Sequence, residues 1–200
     1  MWLAFVNIKI HCQTYIELSV DNDLYFQTDQ YYSSGIIISY GKKKENKINH
    51  WRLGQEIYHP SKRYTSDISK MDYPYSGWLY IQNEKEVFLS DNSSYSWGLE
   101  LGVTGEASLA RTFQNFYHRT VLNLPELSWE GELPQRLQFG AFGQINKGIS
   151  LSDYFHFTSQ VYSKISTYRI QFLSRIGITI GIGNKMPFQK VSFSNNESSG

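Results

Sequence analysis

The sequence predicts an all-β protein, an antiparallel transmembrane β-barrel with one short helix inserted after its fifth strand. Three observations carry this. First, side chains alternate with a period of two, the spacing that places neighbours on opposite faces of a strand. From Tyr95 to Thr104, the residues Tyr95, Trp97, Leu99, Leu101 and Val103 alternate with Ser96, Gly98, Glu100, Gly102 and Thr104. Second, aromatic residues make up 16% of the 200 residues (15 Tyr, 12 Phe and 5 Trp), while the mean hydropathy is −0.42. Such rings are characteristic of the girdles at a membrane–water interface, and a polar average suits a barrel whose inner face is wet. Third, no run of about 18 or more apolar residues occurs, so a bilayer crossing has to be made by strands.

The alternation recurs along the chain. Trp51, Leu53 and Ile57 oppose Arg52, Gly54 and Glu56, and Leu137, Phe139 and Ala141 oppose Arg136, Gln138 and Gly140. Tyr168, Ile170, Phe172, Ile176, Ile178, Ile180 and Ile182 oppose Arg169, Gln171, Arg175, Gly177, Thr179 and Gly181. The apolar set is expected outside and the polar set in a lumen. Eight strands follow, near 15–21, 34–42, 50–59, 74–90, 94–104, 135–146, 154–165 and 167–183. Breakers separate them: the Lys42–Lys47 charge run, Asp91-Asn92-Ser93-Ser94 and Asn146-Lys147-Gly148. A soluble barrel or sandwich shares the period of two, which leaves that alternative open.

Glu106 to Val121 lacks alternation and reads as a helix beginning just after Gly105, with Gln114 and His118 four residues apart on one face. The composition does not change midway, so residues 15–200 form a single barrel domain. Residues 1–14 read either as the remnant of a secretion signal or as a short N-terminal strand. The polar tail from Ser192 supplies no aromatic-ended closing strand, and an unpaired edge is costly in lipid, so the chain reads as truncated at its C-terminus.

With 19 basic and 18 acidic residues there is no net field to favour nucleic acid. The single Cys12 excludes an internal disulfide and a multi-cysteine zinc site. The five histidines have no metal-ligand spacing, and neither a nucleophile elbow nor a phosphate loop occurs. What remains is a polar cluster of Asp21-Asn22-Asp23, Thr28-Asp29, Tyr32-Ser33-Ser34-Gly35 and His118. Singly, these read as turn chemistry and a structural histidine. Together, oxygen donors that suit Ca2+ and an imidazole that activates water form a set able to hydrolyse an ester.

The order of these pieces resembles the outer-membrane lipid A 3′-O-deacylase family, from about Glu17 to Asn184. The match runs through Asp21-Asn22-Asp23 and then Thr28-Asp29-Gln30-Tyr31-Tyr32-Ser33-Ser34-Gly35. It continues through Gly54-Gln55-Glu56-Ile57-Tyr58-His59-Pro60, Asp72 to Tyr80, Gly102 to Ser108, Gln114 and His118. The resemblance implies a barrel of twelve strands in the bacterial outer membrane, four more than the eight read here. It implies Ca2+-dependent hydrolysis of the 3′-linked acyloxyacyl ester of lipid A in the outer leaflet. His118 is then the general base and Gln114 a substrate-binding or orienting residue. Asn22 and Asp23 hold the ion, Ser33 stands for the family's threonine, and Lys62 and Arg63 face the lipid A phosphates. The partners implied are lipid A, lipopolysaccharide and outer-membrane lipids. Leu124 stands where a characterised type of the family has an acidic residue. Two alternatives remain beside this: a non-enzymatic barrel, porin-like or for assembly, and an outer-membrane phospholipase using Ser33 or Ser34 as nucleophile.

Overall fold

In the computed structural model, residues 14–22 and 31–180 are described. They form one eight-stranded antiparallel meander: β1 (Thr14–Asn22), β2 (Tyr32–Lys44), β3 (Lys47–Tyr58), β4 (Ser76–Ser90), β5 (Ser93–Thr104), β6 (Arg136–Ser150), β7 (Phe155–Ser166) and β8 (Ile170–Ile180). Each strand pairs only with its sequence neighbours, the order being β1 through β8. The strand count and the inserted helix agree with the sequence reading. Among the described residues the sheet is not closed by a β1–β8 pairing.

The two faces differ as lipid and water require. Trp51, Leu53, Ile81, Trp97, Leu99, Leu101, Leu137, Phe139 and Ile145 point outward and are exposed. Burying a side chain of this kind gains about 1.5–3 kcal/mol, so a continuous apolar band calls for an apolar solvent rather than water. The opposite face is polar and buried: Ser94, Ser96, Glu100, Gln138, Asn146, Thr158, Gln160 and Lys164 are all under 9% exposed. At its centre, the Lys164 Nζ donates to Glu100 at 2.8 Å and to the Tyr168 hydroxyl at 2.7 Å, and Tyr168 donates to Glu100 at 2.8 Å. Nearer one end, the His50 ring bridges the Tyr15 hydroxyl (2.7 Å) and Glu86 (3.3 Å), while Ser94 donates to Glu86 at 2.8 Å.

Several boundaries differ from the sequence reading, for identifiable reasons. The Lys42–Lys47 run is not a loop. β2 runs to Lys44 and β3 begins at Lys47, with Glu45 taking the positive φ of 55° that a two-residue hairpin demands. Asn146-Lys147-Gly148 lies inside β6, because Asn146 is buried in the lumen network, where it donates to Ser94 and accepts from Gln160. Tyr168 precedes β8 and reaches Glu100 in the lumen instead of continuing the outer stripe. The stretch read as one helix is a 3-10 turn at Glu106–Ser108, helix α1 (Ala110–Tyr117) and a π-helical turn at His118–Leu122. Residues 1–13, 23–30 and 181–200, which include Cys12, most of the N-terminal segment read as a signal remnant, and the polar tail, lie outside the described residues.

The turns at 45–46, 91–92 and 151–154 lie at one end of the sheet, and both long connections (59–75, 105–135) lie at the other, beside the short 167–169 turn. In outer-membrane barrels the short turns are periplasmic and the long loops extracellular, which places α1 on the outer side.

A buried ion pair with one partner removed leaves an uncompensated charge, at a cost of about 3–5 kcal/mol. Lys164→Met should therefore lower the unfolding midpoint in urea, and adding Glu100→Leu should recover most of the loss. A single variant as stable as the parent would show that the pair is not buried.

Candidate active site

The connection between β5 and β6 does not lie over the barrel mouth; it folds down against the outside of the wall. Gly105 has φ 73°, and a Cβ there would meet the Gln135 backbone at about 2.5 Å, so the chain leaves β5 through a conformation suited to glycine. Next, α1 packs on Gly77, where a Cβ would collide with Ser108 Oγ and the Ala110 methyl. Gln55 Nε2 donates to the Ser108 carbonyl at 2.6 Å. A small core forms here on the outward side from Ile57, Tyr75, Ala110, Leu127 and Trp129, with Met71 packed on it. Tyr75 and Trp129 stack with centroids 5.1 Å apart. Ile57, read from the sequence as facing the same way as Trp51 and Leu53, does so, but it is covered by protein, at 2% exposed.

Ala110, Gln114 and His118, spaced four apart, form the buried face of α1 and its continuation. Two contacts fix them. Asn115 clamps the returning chain, donating to the Leu127 carbonyl at 3.1 Å and accepting from the Leu127 N–H at 2.9 Å. Beyond the helix, Asn123 takes the left-handed conformation (φ 53°), and Leu124 N–H donates to the His118 carbonyl at 2.9 Å. The chain thus turns back so that the Pro125 carbonyl lies 3.2 Å from His118 Nδ1.

That contact sets the imidazole's chemistry. A carbonyl oxygen only accepts, so Nδ1 carries the hydrogen and, in the neutral ring, Nε2 keeps its lone pair. His118 is 7% exposed and Gln114 4%. One turn away from His118, Gln114 Nε2 donates to Ser33 Oγ at 3.1 Å. Gln114 Oε1 is buried with no hydrogen-bond partner among the described residues. An unsatisfied buried acceptor costs about 1–3 kcal/mol, a cost that a bound ligand at this point would relieve.

Ser33 owes its position to a bulge. Tyr32 pairs with Tyr58 and Ser34 with Ile57, leaving Ser33 as the extra residue between an inward and an outward position. By backbone register Asn22 lies opposite Ser34, at the end of β1 beside this bulge. Ser33, Gln114 and His118 are therefore gathered on the lipid side of the wall, with Asn22 at the neighbouring register position. Asp23, Thr28 and Asp29 lie outside the described residues. Lys62 and Arg63 sit on the adjoining 59–75 loop, Lys62 exposed and Arg63 half-buried. This loop is joined to the cap where the Tyr75 hydroxyl donates to the Arg63 carbonyl and Ser128 donates to the Thr65 carbonyl at 3.0 Å. Sequence reasoning missed the carbonyl of Pro125 and the Asn115 clamp. A backbone acceptor carries no residue signature, and Asn115 is one of many asparagines until the chain folds back on it.

The family model for the outer membrane protein LpxR matches residues 3–195. The chain belongs to the LpxR outer membrane protein family. LpxR from Salmonella typhimurium is a solved structure with the same fold, at a TM-score of 0.68 and 20% identity. The alignment covers 77% of this chain and 58% of that one, so this chain spans less than two thirds of its solved relative. No curated protein matches the sequence. Membership of this LpxR family places the chain in the outer membrane, which agrees with the apolar outer band and decides against a soluble sandwich.

The loop that carries Lys62 and Arg63 is closed by Asp72, whose carboxylate accepts from Ser61 Oγ at 2.7 Å and Ser61 N–H at 3.0 Å. The Ser61 hydroxyl, more than any other group, holds Asp72 below its ordinary value near 3.8. A carboxylate lowered in the folded state stabilises above its unfolded pKa, and the contribution is lost as pH falls through the folded value. Residues 61–72 of this LpxR family member should therefore keep their amide-exchange protection from neutral pH down to about 4, the unfolded range of Asp, and lose it below. Asp72→Asn should remove this pH dependence.

Proposed function

We propose that this LpxR family member hydrolyses the 3′-linked acyloxyacyl ester of lipid A, in a Ca2+-dependent reaction, with His118 as general base. The observation that carries the reading is the location of the imidazole. It is buried between α1 and the outer face of the wall, on the side where lipid lies, with Nδ1 committed to the Pro125 carbonyl. A base there meets an ester from the membrane, whereas a solute from the lumen would have to cross the sheet.

In this scheme His118 Nε2 takes a proton from water as it adds to the ester carbonyl, then returns it to the departing alkoxide. The Pro125 carbonyl holds the ring in the tautomer the first step needs and stabilises the imidazolium that follows. Gln114 and Ser33, joined at 3.1 Å, orient the ester group. Ser33 Oγ is engaged by Gln114 in this arrangement, which favours water over a serine nucleophile. Lys62 and Arg63, on the loop packed against the cap, are assigned to the lipid A phosphates.

The donor chemistry fits the ion. Ca2+ takes oxygen ligands, and the cap offers the unsatisfied Gln114 Oε1 and Ser33 Oγ beside the register position of Asn22. The charged ligand is assigned to Asp23, with Asn22 beside it, because these two residues resemble the family's Asn-Asp pair; among the described residues no group of three His, Cys, Asp or Glu is suited to a metal. When bound, Ca2+ supplies positive charge that stabilises the oxyanion.

His118→Ala should leave lipid A of expressing cells with its acyl chain retained, read by mass spectrometry, a loss of about 10²–10⁴-fold in rate. A shortened lipid A with the variant would remove His118 from the role of base. Chelation with EDTA should abolish turnover of purified lipid A in detergent, and excess Ca2+ should restore it; undiminished turnover would take the ion out of the scheme.

A further inference from the structure

The cap has a second face that the proposed chemistry does not use. Around α1, Ala110, Gln114 and His118 turn to the barrel wall, and Asn115 turns to the returning chain at Leu127. The remaining edge carries Leu109, Phe113 and Phe116, which are 58%, 38% and 53% exposed, and it continues past the helix in Val121 and Leu124 at 58% and 37%. Positions 109, 113 and 116 follow helical spacing, so these side chains form one stripe. Two phenylalanines and three aliphatic side chains left in water along α1 and the residues flanking it would be an unstable surface.

The surroundings indicate what covers the stripe. The helix rests on the outward side of β3 and β4, at Ile57 and Gly77. By register, Gly77 lies two residues above Leu79 on the outward face, and Leu79 pairs with Val103, which pairs with Leu137. At about 3.3 Å of rise per residue, the cap is within roughly 7 Å of the apolar outer band. The two arginines of this segment sit on other edges and are locally paired: Arg119 with Glu126 at 2.8 Å, and Arg111 with Glu132. An apolar stripe continuous with a lipid-facing band, with its charges turned away, is the pattern of a helix lying in the plane of a membrane interface.

We infer that α1 is a membrane-inserted element: the Leu109–Phe113–Phe116 edge, extended by Val121 and Leu124, dips into the acyl chains of the outer leaflet. The cap is then held from two sides, by the Ile57–Tyr75–Trp129 core and by lipid. The inference rests on the placement of the helix and is independent of any hydrolysis.

Nitroxide labels at Phe113→Cys and Phe116→Cys, each in a Cys12→Ser background, test it in protein reconstituted into phosphatidylcholine vesicles. Leu101→Cys, on the outward band, is the lipid reference, and the exposed Glu130→Cys is the water reference. Power saturation should shift both helix labels toward oxygen collisions and away from a water-soluble nickel chelate, as at Leu101. A ratio matching Glu130 would overturn the inference by placing the stripe in water. Suppression of both collision types would also overturn it, showing that protein, such as a second copy of the chain, covers the stripe. Val121→Cys provides the same readout if labels within the helix prevent the heat-dependent mobility shift of the folded barrel.

Discussion

A single antiparallel sheet with lipid on one side and water on the other imposes the constraint on which the rest of the molecule depends. Every backbone polar group within the bilayer has to be satisfied by a neighbouring strand, which accounts for the continuous pairing from β1 to β8, with bulges at Ser33 and Leu89 near the strand ends. The same partition assigns each side chain by parity. Leucines and isoleucines can remain uncovered by protein only because they face acyl chains, and the charges on the opposite face can be buried only because they satisfy one another. Glu100, Lys164 and Tyr168 form such a closed network.

At the cap this partition is broken, and the break creates the candidate site. Polar side chains on the outer face would be expensive in lipid, yet Gln55, Ser33, Gln114 and His118 are all there. They are tolerated because α1 and the chain returning through Trp129 shield them, with Gly77 permitting the close approach. Their hydrogen bonds are then made inside protein: Gln55 to Ser108, Gln114 to Ser33, and His118 to Pro125. Gln114 Oε1 is left over, buried without a partner among the described residues.

Strand parity was legible at once, because a period of two written over ten residues, as from Tyr95 to Thr104, survives any reasonable error in boundaries. Boundaries were less legible where a polar residue serves the lumen instead of a turn. Asn146 looks like a breaker in sequence and is a buried network member in the fold. The helix was recognised by loss of alternation, but its division into a 3-10 turn, a short α-helix and a π-helical turn depends on the Asn123 reversal and the Leu127 clamp. Of the site, His118 and Gln114 were visible as an i, i+4 pair and Ser33 through the resemblance.

By itself, the sequence determined the solvent of each face, the strand order and the family of the chain, because these are encoded by local alternation and by motifs in fixed order. Only the tertiary structure decided that the histidine is on the outside of the wall, which nitrogen of its ring carries the hydrogen, and that Gln114 meets a serine 81 residues away. Those facts rest on contacts between segments remote in the chain and on a backbone carbonyl, and neither leaves a trace in residue identity.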